Sequence, residues 1–466
     1  MAVRSLSISL ASGGASDQRS SAFSTRGEAG PPLRVVLVVL ALAAPAFALA
    51  SWPLRHEPSA LLQFSLPIML AQLAIVVAAL LSGVSIPSAI AGMAWPTRIA
   101  GPAFLAVAVW ASLVAARGVP EAPIYLFGTM LHMLFALVLW EKLRGSWSNW
   151  RALALFACGI GGALYLLAVM VLLPFAVRDP AMNWDAFAVG AGNVRQIGFY
   201  GLAAGGVGIG MMAAERRAGL RGWWFALATA GWWLVVLSGG RMAFMGLLLA
   251  SGLSIVFANR GHRFVHAGLL AGALALGTAG AALSAPDQDH WGAAELFHKL
   301  NPSADREDIA LSQKWDGEDP EASALYVYTT GRMGFWQQSF DIAMERPLLG
   351  HGQGVFKHAV PRARGGFNHP HSAPLQFLFE WGIVGSLCLA VLLAGPALRS
   401  GRAVLRAASA RRDPALCTGV VTLSGLVVMA MGEGAFFHPY PIMVALVCMA
   451  VIATARGDAR LAQGGS

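Results

Sequence analysis

Of the 466 residues, 56% are hydrophobic and only 12% charged, with a mean hydropathy of +0.60. No single water-soluble core has room for that much apolar surface, which excludes an ordinary cytosolic enzyme and predicts an all-α polytopic membrane protein. The net charge of +9 would suit a nucleic-acid partner in a soluble chain, but here the basic residues sit between apolar runs and mark topology, so no nucleic acid is expected.

Residues 1–32 are rich in Ser, Gly, Ala and Arg without apolar periodicity, and are expected to be a disordered cytosolic tail. The first apolar run, 33–50, lies too far from Met1 for a secretory signal and is followed by many others, so it is read as a crossing. Eleven more follow, at about 61–81, 99–116, 122–140, 152–176, 196–214, 223–238, 242–258, 264–285, 374–398, 415–432 and 440–455. Runs of roughly 18–25 residues cover about 30 Å of hydrocarbon, and a lone run satisfies its backbone there only as a helix, so about 12 transmembrane helices are expected. Pro67 and Pro87 leave the second free to shift toward Ile90 or to break. The layout divides into helices 1–9 over 33–285, an outer loop over 286–373, helices 10–12 over 374–456 and a cytosolic tail over 457–466.

The charges test this count. With a cytosolic N-terminus, 20 of the 33 basic residues fall inside, and 8 of the other 13 lie in the one long outer loop, where the positive-inside rule carries little weight. The short outer loops hold only Arg55, Arg117, Arg178, Arg195 and Arg241. The stretch 286–370 carries 12 of the 24 acidic residues, and within it a helix is expected from about Thr330 to Glu345, ended by Pro347.

Chemistry is sought among the polar residues that interrupt this pattern. Arg241 follows Ser238, Gly239 and Gly240 in a connection so tight that its guanidinium must lie at the outer surface or just within it. It reads either as a snorkelling anchor or as the partner of an anion, for which a lipid phosphate or diphosphate fits the fork of N–H donors. Gly350, Gly352 and Gly354 lack the GK[ST] signature and preceding strand of a nucleotide loop, so they read as a turn after a helix. The acidic triplet Asp287, Gln288 and Asp289 is set aside as a metal site, as nucleotide sugars are cytosolic. His351, His358, His369 and His438 have no i, i+4 partner on a clear helix and read as scattered interface histidines, so no metal is expected. Cys158, Cys388, Cys417 and Cys448 all fall inside apolar runs and read as small packing residues. Glu380 and Glu433 are carboxylates at or inside apolar runs, where each needs a partner, an arginine being expected for Glu380. His371 places a titratable imidazole just before a membrane helix, on which Gly382 and Gly385 form a flat face for close packing.

His371, Ser372, Gly382 and Gly385 resemble the histidine motif of O-antigen ligases, in which His is followed by Asn, Ser or Gln, nine residues, Gly, two residues and Gly. Ser386 stands where those ligases often have Thr. Arg332, Trp336, Pro347, Gly350, Gly352, Gly354 and Phe356 are similar to the arginine, tryptophan and PLLGxGxGxF stretch of the wider ligase and polymerase family, and SGGRMAF resembles its earlier serine-plus-arginine element. The resemblance implies a glycosyltransferase of the bacterial inner membrane, with both termini cytoplasmic and the site periplasmic. It would move a glycan from a polyprenyl (undecaprenyl) diphosphate carrier to an acceptor hydroxyl, such as a lipid A core sugar, without metal or cofactor. In that scheme His371 is the general base and Arg241 and Arg332 hold the diphosphate, with Arg195 a further candidate beside Ser372, Gly382 and Gly385 on the substrate. A repeat-unit polymerase, a protein O-oligosaccharyltransferase and a transporter are the alternatives, the last disfavoured because the unusual charges collect at the outer surface rather than at mid-membrane.

Overall fold

The computed structural model describes residues 31–54, 56, 65–144, 148–182, 194–215, 217–286, 291–300, 332–361, 368–410 and 413–455. The expected tails at 1–30 and 457–466, the 287–289 triplet and the start of the outer-loop helix at Thr330 lie outside these residues. Among them the chain is all-α. Its long apolar helices are α1 (Pro31–Ser51), α2 (Leu66–Leu81), α3 (Trp95–Trp110), α4 (Ala122–Arg144), α5 (Ser148–Val177) and α6 (Ile197–Ala214). The second half holds α7 (Ala218–Leu237), α8 (Arg241–Phe257), α9 (Arg263–Ser284), α10 (Ala373–Leu405), α11 (Pro414–Glu433) and α12 (Pro439–Thr454). Nine helices among the described residues are long and apolar enough to cross a membrane; α2, α8 and α12 are apolar but shorter. Each of the twelve overlaps one expected run, but among the described residues only those nine have the length of a crossing, against the 12 expected. Pro67 opens α2 at its first turn and Pro87 starts a separate short helix, Ile86–Ala91, so neither proline interrupts the second run.

Helix α6 is the axis of the bundle, and every residue from Ile197 to Met212 is buried. Its sequence, GLAAGGVGIG, explains that position, because it offers almost no side-chain volume and lets neighbours approach at backbone distance. Gly231 of α7 meets Gly205 so closely that a Cβ on Gly231 would collide with the α6 backbone, a Cβ on Gly205 would strike Leu247 of α8, and Gly206 and Gly210 lie against Thr422 and Thr418 of α11. Arg195, one turn before α6, is thereby brought to the same end of the bundle as the start of α8 and the end of α11. At the opposite end Arg151 pairs with Asp413 at 3.3 Å and donates to the Thr454 carbonyl, tying α5, α11 and α12 together.

The described part of the outer loop contains a helix at Arg332–Ala343, which ends two residues before the expected Glu345, followed by turns and the short helix Phe356–Ala359. The stretch Pro347–Gly352 does not simply follow that helix: it is spliced into α10. Gly382 has φ 61° and ψ −168°, so α10 breaks one-third of the way along. The orphaned carbonyls of Phe379 and Glu380 accept from the N–H groups of His351 (2.8 Å) and Gly352 (3.1 Å), and the N–H groups of Ile383 and Val384 donate to the carbonyls of Pro347 (2.7 Å) and Leu348 (3.1 Å). A broken helix in an apolar setting is tolerated only where such groups are satisfied again. The two motif glycines thus do not form a flat packing face: Gly382 makes the break, and only Gly385 packs in helical conformation, against Trp381 and Val107. Gly350, Gly352 and Gly354 all have positive φ, and Gly352 lies against the π-helical turn Ala111–Ala115 that ends α3.

Glu380, buried beside the break, is partnered by amides rather than by the expected arginine. Gln376 Nε2 donates to its Oε1 at 3.4 Å, while Gln353 of the spliced loop accepts from Ser112 Oγ at 3.1 Å and donates to Thr129 Oγ1 at 2.8 Å. This polar seam locks the loop to α3, α4 and α10. On the surface above, Lys357 and His358 flank the Glu121 carboxylate in front of α4.

Candidate functional site

Five chain segments deliver polar side chains to one end of the bundle. The tight α7–α8 turn is built by Ser238, whose Oγ donates to the Val235 carbonyl at 2.7 Å and accepts from Gly240 N–H at 3.2 Å, with Gly239 at φ 58°. Arg241 is then the first residue of α8. Glu433, the last residue of α11, caps that helix from outside: its Oε1 accepts from Met242 N–H at 3.3 Å, a favourable place for a carboxylate at the positive end of a helix. Gly434 turns the chain in left-handed conformation, and His438 and Pro439 start α12.

Arg332 opens the outer-loop helix, and its Nη1 donates to the Gly432 carbonyl. Burial draws its pKa down to about 10, opposed by the charge of Glu433 and reinforced by those of Arg195 and Arg241. Those mutual effects put Arg195, Arg241 and Glu433 all near Arg332. Trp336, one turn further along the same helix, donates Nε1–H to the Pro370 carbonyl at 2.7 Å and so pins the segment that carries His371.

His371 lies in left-handed conformation at φ 55°, one of two non-glycine residues with positive φ among the described residues. Burial first, then the charges of Arg332, Arg195 and His438, push its pKa down to about 3, against a raising hydrogen bond to the Glu433 main-chain carbonyl. The imidazole is therefore neutral at pH 7: one ring nitrogen donates to that carbonyl and the other carries the lone pair. His369 sits behind it, with ring centroids 4.4 Å apart and Nδ1 accepting the His371 N–H at 3.1 Å. The His369 ring also stacks on Phe437 at 4.5 Å and lies 5.6 Å from His438, whose Nε2 is 3.5 Å from Gln196 Nε2. His438 is held down to about 4 by burial.

The residues singled out in the sequence fall into two sets. His371, Arg241, Arg332 and Arg195 share one site, with Ser372 next to His371 as the N-cap residue of α10. Gly382 and Gly385 lie at the break in α10, more than two turns beyond its start. The sequence reading passed over His369 and His438 as scattered histidines and treated Glu433 only as a carboxylate in need of a partner. Their signal was positional: His369 and Pro370 directly precede the motif's His371, and EGAFFHP is the short polar break between the last two apolar runs. Among the described residues no group of three His, Cys, Asp or Glu side chains is arranged to hold a metal ion.

Chemically, the arrangement gathers three guanidinium groups, which suit a multiply charged anion, near a neutral imidazole. Residues 224–390 match the family model described as O-Antigen ligase. That segment contains Arg241, Arg332, His371, Gly382 and Gly385, while Arg195, Glu433 and His438 lie outside it. No curated protein matches the chain.

Proposed function

We propose, from the match of residues 224–390 to the O-antigen ligase family model and from the residues gathered at one end of the bundle, that the chain transfers a glycan from a polyprenyl diphosphate carrier to an acceptor hydroxyl at the periplasmic face of the inner membrane. The observation that carries the reading is the convergence of Arg195, Arg241 and Arg332 beside the neutral imidazole of His371. Outside the cytosol no ATP is at hand, so bond formation needs a donor that arrives activated, and a diphosphate leaving group supplies that.

In this reading the acceptor oxygen attacks the anomeric carbon and His371 takes its proton. The glycosyl–oxygen bond breaks with its electron pair going to the diphosphate. Arg241 and Arg332, with Arg195, stabilise the negative charge that grows there, an effect typically worth ~10²–10³ in kcat per donor group. The chain binds the diphosphate through guanidinium groups, so the scheme uses no metal and no cofactor. The low basicity of His371 has a role in ordering the reaction. The arginine charges are part of what depresses it, so a bound diphosphate, of opposite sign, raises it toward the range where a general base works well. Donor binding thus precedes proton transfer. Ser372 lies beside His371 on the acceptor side, while Gly382 and Gly385, covered by the Leu348–Gly350 loop, Trp381 and Val107, shape α10 rather than touch the acceptor.

The test is transfer in proteoliposomes containing a defined polyprenyl diphosphate glycan and, separately, lipid A core or a second carrier-linked glycan as acceptor. His371→Ala is expected to abolish transfer while inserting and melting as the wild type does; full activity in that variant rejects the assignment. Product on lipid A core identifies a ligase, and lengthened carrier-linked glycan identifies a polymerase.

A further inference from the structure

The His371 backbone is strained for a side-chain-bearing residue, because left-handed φ brings Cβ toward the following carbonyl at a cost of about 1–2 kcal/mol. Such a conformation persists only where its surroundings hold it. The His371 main-chain N–H donates to His369 Nδ1, two residues earlier in the chain. This is the geometry of an Asx-turn, with an imidazole nitrogen in place of the Asn or Asp oxygen. Three features fix the ring that supplies it. Phe437 stacks on one side, Gly434 leaves room where any Cβ would strike the ring, and the Pro370 carbonyl between the two histidines is tied to Trp336. Burial, followed by the neighbouring His371, His438 and Arg332, keeps His369 neutral, so its Nδ1 lone pair is available and its proton resides on Nε2.

We propose that His369 is a positioning residue for the transfer reaction: by accepting the His371 N–H it holds that residue left-handed and directs its imidazole toward the Glu433 carbonyl and the arginine cluster. The inference rests on the glycan-transfer reading for its catalytic consequence, but the hydrogen bond itself does not. Because the acceptor atom is the δ atom of the side chain, Asn is its closest replacement, while Phe keeps the ring and its stacking but offers no acceptor.

Two experiments on the full chain in lipid bilayers decide it. With a polyprenyl diphosphate glycan as donor, His369→Phe is expected to lower kcat about 100-fold with little change in KM, and His369→Asn to stay within about tenfold of wild type. A Phe variant as active as the Asn variant, or more so, overturns the proposal. Independently of activity, ring-¹⁵N histidine spectra, with the His369 signal assigned by its loss in His369→Asn, should show the Nε2–H tautomer at pH 7. An Nδ1–H tautomer or an imidazolium overturns it. Failure of the wild-type chain to transfer glycan to either acceptor would reject the proposed function, and the tautomer would still decide the hydrogen bond.

Discussion

Gly382→Ala isolates the break in α10 from the chemistry above it. At φ 61° and ψ −168° the backbone lies in a region that is essentially restricted to glycine, where a side chain costs of order 1–3 kcal/mol. The new Cβ would also collide with the Leu348 carbonyl and come within 2.6 Å of the Gly350 nitrogen. Only backbone lies in its path, so relief requires the Pro347–Gly352 loop to withdraw and release the four hydrogen bonds that it makes to α10. At about 1 kcal/mol each, and more where the carbonyls are left buried, the whole change comes to roughly 5–7 kcal/mol with the backbone strain, a large part of the ~5–15 kcal/mol that usually separates folded from unfolded chains. Gly401→Ala is the control, since it lies on the same helix with nothing within 4 Å of the new Cβ; there alanine should be neutral or stabilising by up to about 1 kcal/mol. Thermal unfolding of the purified protein in nanodiscs, with folded yield from the membrane, reads both. A Gly382→Ala protein that melts with the Gly401→Ala control would refute the splice as the reason for the glycine.

Two further outcomes follow from the site. Arg332→Lys keeps the charge but loses the fork that holds the Gly432 carbonyl while addressing an anion, so kcat should fall about 10²–10³-fold with little change in melting temperature; wild-type turnover would show that charge alone suffices. His369, His371 and His438 all have pKa values below the usual 6.5, so the unfolded chain takes up protons first and stability is lost as pH falls below that value. Each should withdraw about 1.4 kcal/mol at pH 5.5 relative to full deprotonation. The melting temperature should therefore drop between pH 7 and 5.5, less steeply in His438→Asn, and an unchanged profile would contradict the burial of these rings.

The polytopic helical architecture was legible from composition and run length, because hydrocarbon admits only self-satisfied backbone and each apolar run has one way to comply. The site arginines were legible for a related reason: the charge pattern of the loops assigns Arg195 and Arg241 to the side where arginine is disfavoured, and the fold brings both to one end of the bundle. Tertiary structure alone decided what these residues meet. That Glu433 caps α8, that Phe437 and Gly434 seat the His369 ring, and that PLLGHG fills a gap in a helix starting more than twenty residues later are all contacts between segments with no shared periodicity. Gly382 shows the limit most clearly. Its spacing from Gly385 suits a packing face as well as a broken helix, and only the loop lying across it, with carbonyls and N–H groups to match, selects the break.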